Sequence, residues 1–528
     1  MHIVANLQLF QSVNQAEKQA ENLPAALAVN AEGAPAYALS PRHQLAQYAA
    51  TGCLNSTFYA SAEAQLATVL ELCKAIDPRF IAQTAVYCRE RGHMKDMPAL
   101  LVAVLAGQGT QQLAPAFARV IDNGKMLRNF VQILRSGAVG RKSLGTRPKK
   151  LVQAWLNNAS EQVLLAASVG NAPSLADVVK MVHPKPQEAW RAAFFAWLIG
   201  KEYHTADLPP ALNAFERYKV DPSLPVPPVP FQMLTALPLS AEQWAQIARQ
   251  GGWQMLRMNL NTFARHGVFG IDGMAELIAD KLRDPQAIAR AKVFPYQLMS
   301  ACMAAGDSVP AIVKAALEQA LEISLLNVPQ VAGKVVVCPD VSGSMSSPVS
   351  GYRGSATSSM RCIDVAALVA AAMLRKNPST VVLPFEQNVV ECELDAENSV
   401  MENAAKLAAI GGGGTNCSAP LARMNWKNIP ADLVIFVSDN ESWVDGKRGG
   451  ATATMHQWQK FKRHNPQARM VCIDIAPHAT TQACEREDIL NIGGFSDEVF
   501  KMIALFACGQ LDPAHWVGEI EAIDVRLV

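Results

Sequence analysis

The sequence predicts a protein that is mainly α plus α/β, with a helical region followed by a doubly wound parallel-sheet domain. From about residue 40 to 325, short segments that are apolar on one face alternate with turns, which is typical of helices. After about residue 330, β-branched runs of strand length alternate with helices. Strands that are apolar on both faces indicate a parallel sheet covered on two sides. We therefore expect domains at residues 1–330 and 331–528 of this 528-residue chain.

The helical region shows its pattern most clearly at residues 62–76, 78–91 and 97–107. A dozen or more short helices joined by short loops predict stacked antiparallel pairs, as in a HEAT-like solenoid, although no exact sequence period is present. The proline-rich stretch 221–234 interrupts these helices. It is either a domain boundary or an ordered extended loop inside the helical array.

The α/β domain shows strand and helix patterns in alternation. Ligands of such sheets bind at the carboxyl ends of the strands, so the residues that follow each strand are candidates for a site. The predicted strands are 334–340, 379–387, 431–440 and 468–477, and the predicted helices are 360–376, 453–464 and 496–508.

Composition excludes few classes of function. The formal net charge is +1, so any nucleic-acid site has to be a local basic patch. Eleven cysteines without CxxC spacing give no sign of a zinc site or a disulfide framework. The chain shows neither a signal-peptide pattern nor a run of about 18 apolar residues, so we expect a cytoplasmic protein without a membrane span.

Oxygen-bearing side chains collect at three predicted loops on one edge of the sheet. Oxygen ligands alone suit a small, hard divalent cation with octahedral geometry, most plausibly Mg²⁺. Hydroxyl groups are weak ligands, so such a metal can also take an acidic group from a partner. A helix N-cap would explain the first of the three loops alone. The five candidate ligands are Asp340, Ser342, Ser344, Thr415 and Asp439.

Two enzyme classes do not fit these loops. The segment "GGGGTN" lacks the lysine of a phosphate-binding loop, and "SGSMS" is not a nucleophile elbow. We therefore expect a protein that is not an enzyme. A phosphoesterase that uses the bound metal stays open as an alternative, but it needs a base near Asp340 that the sequence does not identify.

Two basic clusters lie within about fifty residues of each other in the helical region. They can form one phosphate-binding face, although an ordinary solvated surface explains such runs as well. The first cluster, near Arg135, contains no acidic residue. The candidate RNA-binding residues are Arg141, Lys142, Arg147, Lys149 and Lys150 in the first cluster and Lys180, His183 and Lys185 in the second.

The pattern DxSxS…T…D resembles the metal-ion-dependent adhesion site of von Willebrand factor A domains, and all five positions match. A helical-repeat region followed by such a domain is similar to the TROVE-domain family, the Ro autoantigen and its bacterial relatives. The resemblance covers nearly the whole chain and includes "LAQYAATGCLNSTFYAS", "VYCRERGHMKDMPALLVAVLA" and "VVKMVHPKP". The segment "QMLRMNLNTF" departs from the animal pattern, with Met258 where arginine is expected.

The resemblance implies a closed ring of helical repeats whose two ends are joined by the A domain. It implies that small noncoding Y RNAs dock on a basic outer surface, where His183 and Lys185 match contact positions, and that single-stranded 3′ ends of misfolded RNAs enter a central hole. It also implies an exoribonuclease as a partner. We therefore expect a monomeric, non-enzymatic RNA-binding protein of noncoding RNA metabolism or RNA quality control. The alternatives are a metal-dependent protein-binding scaffold without RNA and the phosphoesterase.

Overall fold

The helical region has the predicted character in the computed structural model, which describes residues 23–526 except 53, 292, 350–359, 447–449 and 512–513. Helices follow one another along this region, joined by short loops. They are α1 (Pro41–Thr51), α2 (Ala62–Ala75), α3 (Pro78–Glu90), α4 (Asp96–Gln108), α5 (Leu113–Val120), α6 (Gly124–Ser136), α7 (Thr146–Asn158), α8 (Glu161–Ser168), α9 (Leu175–Val182), α10 (Ala189–Ile199), α11 (Pro210–Val220), α12 (Phe231–Leu234), α13 (Ala241–Gln250), α14 (Trp253–Met258), α15 (Leu260–Arg265), α16 (Met274–Leu282), α17 (Pro285–Ala291), α18 (Pro295–Ala304) and α19 (Ala311–Ser324).

Local chemistry explains where these helices begin. Ser61 accepts a hydrogen bond from the Ala64 amide at the start of α2, and Asp77 caps α3 ahead of Pro78. Helix α4 is buried along its whole middle, and it packs against α3 on one side and α6 on the other. Helix α4 therefore buries its apolar surface on helices close to it in sequence, as helices in stacked pairs do.

The proline-rich stretch is an ordered loop within the helical array. It runs from the end of α11 to the short helix α12, and Val226 is buried in the core. The Gln243 side chain on α13 donates to the Pro222 carbonyl at 3.1 Å, which ties the loop to the next helix. The sequence left open a domain boundary or an ordered loop at this stretch, and the structure has the ordered loop.

The α/β domain contains a five-stranded parallel sheet in the order β4-β3-β5-β6-β8. Its fold is the predicted one, a doubly wound sheet after the helical region. Its strands are β3 (Val335–Pro339), β4 (Val381–Val382), β5 (Leu433–Ser438), β6 (Arg469–Asp474) and β8 (Ile489–Gly493), and its helices are α20 (Cys362–Lys376), α21 (Val400–Ala408), α22 (Ala419–Lys427), α23 (Ala453–His464), α24 (Asp497–Ala507) and α25 (His515–Glu521).

Two strands differ from the sequence prediction. Strand β4 is shorter than predicted, although the Leu383 and Phe385 amides continue the bonding to β3. Pro384 lies between them at the open edge of the sheet, where a missing amide is tolerated. Strand β8 was not predicted, since "ILNIG" places Asn491 in the middle of an apolar run. The structure buries this asparagine and satisfies its amide with the Ala483 carbonyl and the Glu485 carboxylate.

The two parts of the chain interlock on one side of the molecule. Strands β1 (Ala28–Val29) and β2 (Pro35–Ala38) form a small antiparallel sheet with β7 (Thr480–Thr481) of the α/β domain. In return, α25 packs against α1 and α3. The domain boundary near residue 330 stays a prediction. Strand β2 comes before it but pairs with β7 of the α/β domain, and α25 comes after it but packs on the helical region.

The segment after α3 also contacts the segment before α18, near the other end of the helical region. The His93 ring, after α3, stacks on Phe294 before α18, with centroids 5.8 Å apart. Tyr296 then contacts Phe495 of the α/β domain edge-on at 4.8 Å. Both ends of the helical array therefore contact each other and the α/β domain.

Two predictions from composition can be compared with the described residues. Within them, no helix combines the length and the apolar character that a bilayer crossing needs. None of the ten cysteines in the described ranges takes part in a disulfide bond.

We predict that Trp516 holds the two parts together. Its side chain is fully buried, and its Nε1 donates to the Tyr87 hydroxyl at 2.9 Å. Trp516→Ala should lower the free energy of unfolding by about 3–5 kcal/mol, because it leaves a cavity between α25 and α3. Thermal unfolding followed by circular dichroism measures this loss.

Trp426→Ala is the matched control, since the Trp426 side chain is 74% exposed. Its effect should stay within about 0.5 kcal/mol. Equal melting temperatures for the two variants would contradict a role of Trp516 in the junction.

Candidate functional site

Two carboxylates meet at the carboxyl edge of the sheet because their strands are neighbours in register. Strands β3 and β5 are parallel, and Pro339 pairs with Val437. Asp340 directly follows β3 and bonds through its amide to the Val437 carbonyl at 2.9 Å, while Asp439 directly follows β5. Both carboxylates are buried.

The three predicted hydroxyl residues lie beside these carboxylates. The Ser342 amide donates to Asp340 Oδ1 at 2.8 Å, and the Ser342 and Ser344 hydroxyls are 3.3 Å apart. Thr415 Oγ1 donates to the Ser342 hydroxyl at 3.0 Å. The Ser344 hydroxyl in turn lies beside the Asp439 carboxylate. The structure therefore brings all five residues of the predicted metal site together.

A glycine-rich turn carries Thr415 to this position. The Gly343 amide donates to the Gly413 carbonyl at 3.1 Å, so the turn lies directly against the loop after β3. Gly413 has a φ of 57°, and a Cβ atom there would lie 2.3 Å from the Glu386 carboxylate. The positive φ favours glycine at this position, whereas the Glu386 carboxylate is the end of a flexible side chain that can move aside.

Burial dominates the electrostatics of the site. It raises the pKa of Asp340 to about 7, and the neighbouring charge of Asp439 adds to this rise. The Ser438 hydroxyl donates to Asp340 Oδ2 at 2.6 Å, and this hydrogen bond opposes the rise in the pKa of Asp340. Burial also raises the pKa of Asp439. Two such carboxylates at one point favour either a shared proton or a cation.

The residues present fit a small cation. Asp439 Oδ1 is buried and meets no hydrogen-bond donor among the described residues, so one carboxylate oxygen is left for a ligand. A cavity of about 20 Å³ borders Ser344 and Asp439, which is room for about one water. Hard oxygen donors with water in the remaining positions are the preferred surroundings of Mg²⁺.

A second buried polar cluster, which the sequence analysis did not identify, adjoins this site. His478 Nδ1 lies 2.8 Å from Glu441 Oε1, and the Gln47 side chain of α1 donates to Asp474 at the end of β6. Burial raises the pKa of Asp474 to about 8. Burial lowers the pKa of His478, but the hydrogen bond and charge of Glu441 outweigh it, so the net shift is upward.

Nowhere in the described ranges do three or more His, Cys, Asp or Glu side chains group so as to hold a metal ion. The sequence could have identified this cluster by the position of its residues. Glu441, Asp474 and His478 all lie at or just after the ends of β5 and β6. Asp474 had no assigned role, and the structure gives it one in binding the helical region.

Tyr59, from the loop between α1 and α2, was also missed. Its hydroxyl lies beside Ser344, and its ring contacts the His478 ring edge-on with centroids 6.1 Å apart. Residues of a helical loop have no sequence pattern that predicts contact with a distant sheet edge, so only the folded chain reveals this neighbour.

The first basic cluster surrounds an open cavity of about 530 Å³ at the junction of α6 and α7. No acidic residue occurs among the described residues that line it. The N-terminus of α7, at Thr146, opens into the same cavity and adds the positive end of its dipole. The basic lining residues are Arg135, Lys142, Lys149 and Lys150.

The second basic cluster is adjacent to this cavity. Gln153, which lines the cavity, donates to the Val182 carbonyl at 2.6 Å at the end of α9. The next residue, His183, is exposed and caps α9 in a left-handed conformation with a φ of 52°. Lys180 and Lys185 are exposed on either side of it.

Two predicted RNA-binding residues have structural contacts of their own. Arg141 donates to the Ala106 carbonyl at 2.8 Å, and Arg147 donates to the Gly109 carbonyl at 3.0 Å. Both acceptors are at the C-terminal end of α4, where cations are favoured. These arginines therefore fix the walls of the cavity, which distinguishes them from the lysines around it.

Comparison with known proteins agrees with the two-part architecture. Residues 334–507 match the family model of the Ro60 von Willebrand factor A domain. A relative described as "RNA-binding protein RO60", from Deinococcus radiodurans, is 24% identical over 541 residues, which cover 95% of this chain and 99% of the relative.

A solved structure shares the fold. The crystal structure of the Deinococcus radiodurans Ro (RSR) protein aligns with a TM-score of 0.60 at 20% identity, over 89% of this chain and 100% of that one. The A-domain match, the full-length relative and the shared fold together confirm the resemblance seen in the sequence. Over nearly its whole length the chain is similar to a Ro protein, and its A domain matches the Ro60 A-domain family model.

Proposed function

We propose that this protein is a non-enzymatic RNA-binding protein of noncoding RNA metabolism or RNA quality control. The observation that carries the proposal is the cationic cavity at the α6–α7 junction. Four basic side chains converge there without an acid in the lining, in a chain whose formal net charge is only +1. A local concentration of this kind is what phosphate binding needs.

The RNA we propose for this surface is a small, structured, Y-like noncoding RNA. Lysines around the cavity contact the phosphate backbone, which fixes the position of the RNA without reading its sequence. His183 stands next to them with an exposed ring that can stack on an unpaired base. The relative described as an RNA-binding protein supports RNA binding in general.

A second RNA contact follows from the ring. We propose that single-stranded ends of misfolded RNAs enter its central hole, and that the protein acts as a monomer with an exoribonuclease as a further partner. The ring closure at His93 and Phe294 supports a continuous wall around such a hole.

We also propose that the site at Asp340 and Asp439 holds Mg²⁺, with the Ser342, Ser344 and Thr415 hydroxyls as further ligands, directly or through water. The unsatisfied Asp439 Oδ1 supports this assignment. When bound, the cation supplies a coordination position for an oxygen ligand of a partner. Without RNA binding, the protein would be the metal-dependent scaffold that the sequence left open.

Removing charge from the cavity should weaken RNA binding in a salt-dependent way. Lys149→Ala/Lys150→Ala should flatten the slope of log affinity against log salt by up to about 1.5, since each phosphate contact contributes roughly 0.7–0.9. The change should be alike for different RNA sequences. Fluorescence anisotropy with labelled structured RNA at several salt concentrations measures it.

Lys427→Ala/Lys460→Ala is the matched control, because it removes the same charge from exposed positions on α22 and α23 of the A domain. Its slope should equal that of the parent. If both double variants had the parent's slope and affinity, RNA would not bind at the cavity. That result would favour the alternative, a metal-dependent protein-binding scaffold without RNA.

His183 should contribute without changing the salt slope. We predict that His183→Ala weakens binding to RNA with unpaired loops, because stacking on one base is worth about 1–3 kcal/mol. Binding to a fully paired duplex should be unaffected, since it offers no unstacked base. The same anisotropy assay with the two RNAs side by side separates these outcomes, and a loss that is equal for both would contradict base stacking.

The metal assignment predicts that Asp340→Ala abolishes Mg²⁺ binding and leaves RNA affinity largely unchanged. Calorimetric titration measures Mg²⁺ binding, and the RNA anisotropy assay measures RNA affinity. Mg²⁺ should also raise the melting temperature of the parent but not that of Asp340→Ala, because a ligand that binds only the folded state stabilises it. Asp307→Ala, at an exposed carboxylate, is the control and should behave as the parent. Equal Mg²⁺ affinity in the parent and Asp340→Ala would refute the site.

A further inference from the structure

We propose that Tyr59 and its loop cover the face of the Asp340–Asp439 site to which an acidic ligand would bind, so that the ligand gains access only when this loop moves. The inference rests on the proposed metal function of the site. It adds that the helical region controls the site on the A domain.

The cover is built from the helical region. The small cavity beside the site has two walls, one from the A domain with Ser344 and Asp439, and the other from the loop between α1 and α2. Residues 55–59 of that loop all line the cavity. Tyr59 reaches furthest, with its hydroxyl beside Ser344 and its ring against His478.

The space between the two walls is narrow, since only about 20 Å³ is open to the centre of a water-sized molecule. The five candidate ligands are at most 8% exposed, so the folded chain leaves them little contact with solvent.

The loop is fastened to its own side of the cavity. The Thr57 amide donates to the Ala60 carbonyl at 2.9 Å, and the Gln65 side chain of α2 donates to that carbonyl at 3.0 Å. Phe58 supports Tyr59 edge-on at 4.9 Å, although it is itself 61% exposed. The loop is therefore a preformed unit of the helical region, and a shift of α2 would carry Tyr59 off the site.

Access can be measured with acetate as the carboxylate and Mn²⁺ in place of Mg²⁺, since both ions prefer octahedral oxygen ligands. Acetate that coordinates the paramagnetic ion gives a broadened methyl proton line. Tyr59→Ala should show at least ten-fold more Mn²⁺-dependent broadening than the parent. Tyr203→Ala, which removes another partly buried tyrosine of the helical region, is the control and should match the parent. Equal broadening in the parent and Tyr59→Ala would overturn the cover.

Hydrogen exchange of the metal-free proteins tests the cover independently of the metal. Backbone amides at residues 341–347 should exchange faster in Tyr59→Ala than in the parent and Tyr203→Ala, because their shield from water is gone. Unchanged exchange in all three proteins would overturn the cover as well. If Mn²⁺ and Mg²⁺ bound to none of the proteins, the proposed metal function would fail while the exchange result still decided whether Tyr59 closes this edge.

Discussion

Two carboxylates placed side by side in the interior are the constraint on which the rest of the A domain depends. The register of β3 and β5 puts Asp340 and Asp439 next to each other, and neither is exposed to water. Burying two like charges is costly, so the surrounding groups have to compensate. The Ser438 hydroxyl and the Ser342 amide donate hydrogen bonds to Asp340, whereas one oxygen of Asp439 has no hydrogen-bond donor among the described residues. That remaining oxygen is the strongest physical argument for a cation.

The same edge of the sheet is where the helical region docks, so stability and function share one surface. Gln47 of α1 binds Asp474, and Tyr59 binds over Ser344 and His478. On the opposite side of this junction, Arg91 pairs with Glu498 and Glu519. These contacts replace water at the polar ends of three neighbouring strands. The docking of the helical region is therefore part of what allows so many polar side chains to be buried at the sheet edge.

The sequence predicted those features that have a local periodic pattern. Helices such as α3 and α23, and strands such as β5, have the predicted extents to within a few residues because burial on one or both faces fixes their composition. The order DxSxS…T…D predicted the five site residues, and their convergence follows from parallel strands. Strand β8 was missed because its buried Asn491 is tolerated only with a side-chain network that forms in the folded chain.

Contacts between distant segments had no such pattern. Nothing in the sequence near Tyr59 or Gln47 indicates a partner more than 280 positions away, since each is a single polar or aromatic residue in a helical context. The two arginines that hold the end of α4 were indistinguishable from the neighbouring lysines by charge alone. Geometry separates them, because a planar guanidinium fits carbonyl groups at a helix end while a lysine remains a mobile point charge.

The cationic cavity and the carboxylate site are built from different parts of the ring, and this separation has a physical consequence. The cavity depends on α6, α7 and α9, whereas the carboxylate site depends on the sheet and the loop before α2. Charge attraction between them is screened beyond about 8–10 Å in physiological salt. Thr51 of α1 and residues 55–59 of the loop that follows border the carboxylate site. Any coupling between the cavity and this site would therefore run through the packing of α1 and this loop.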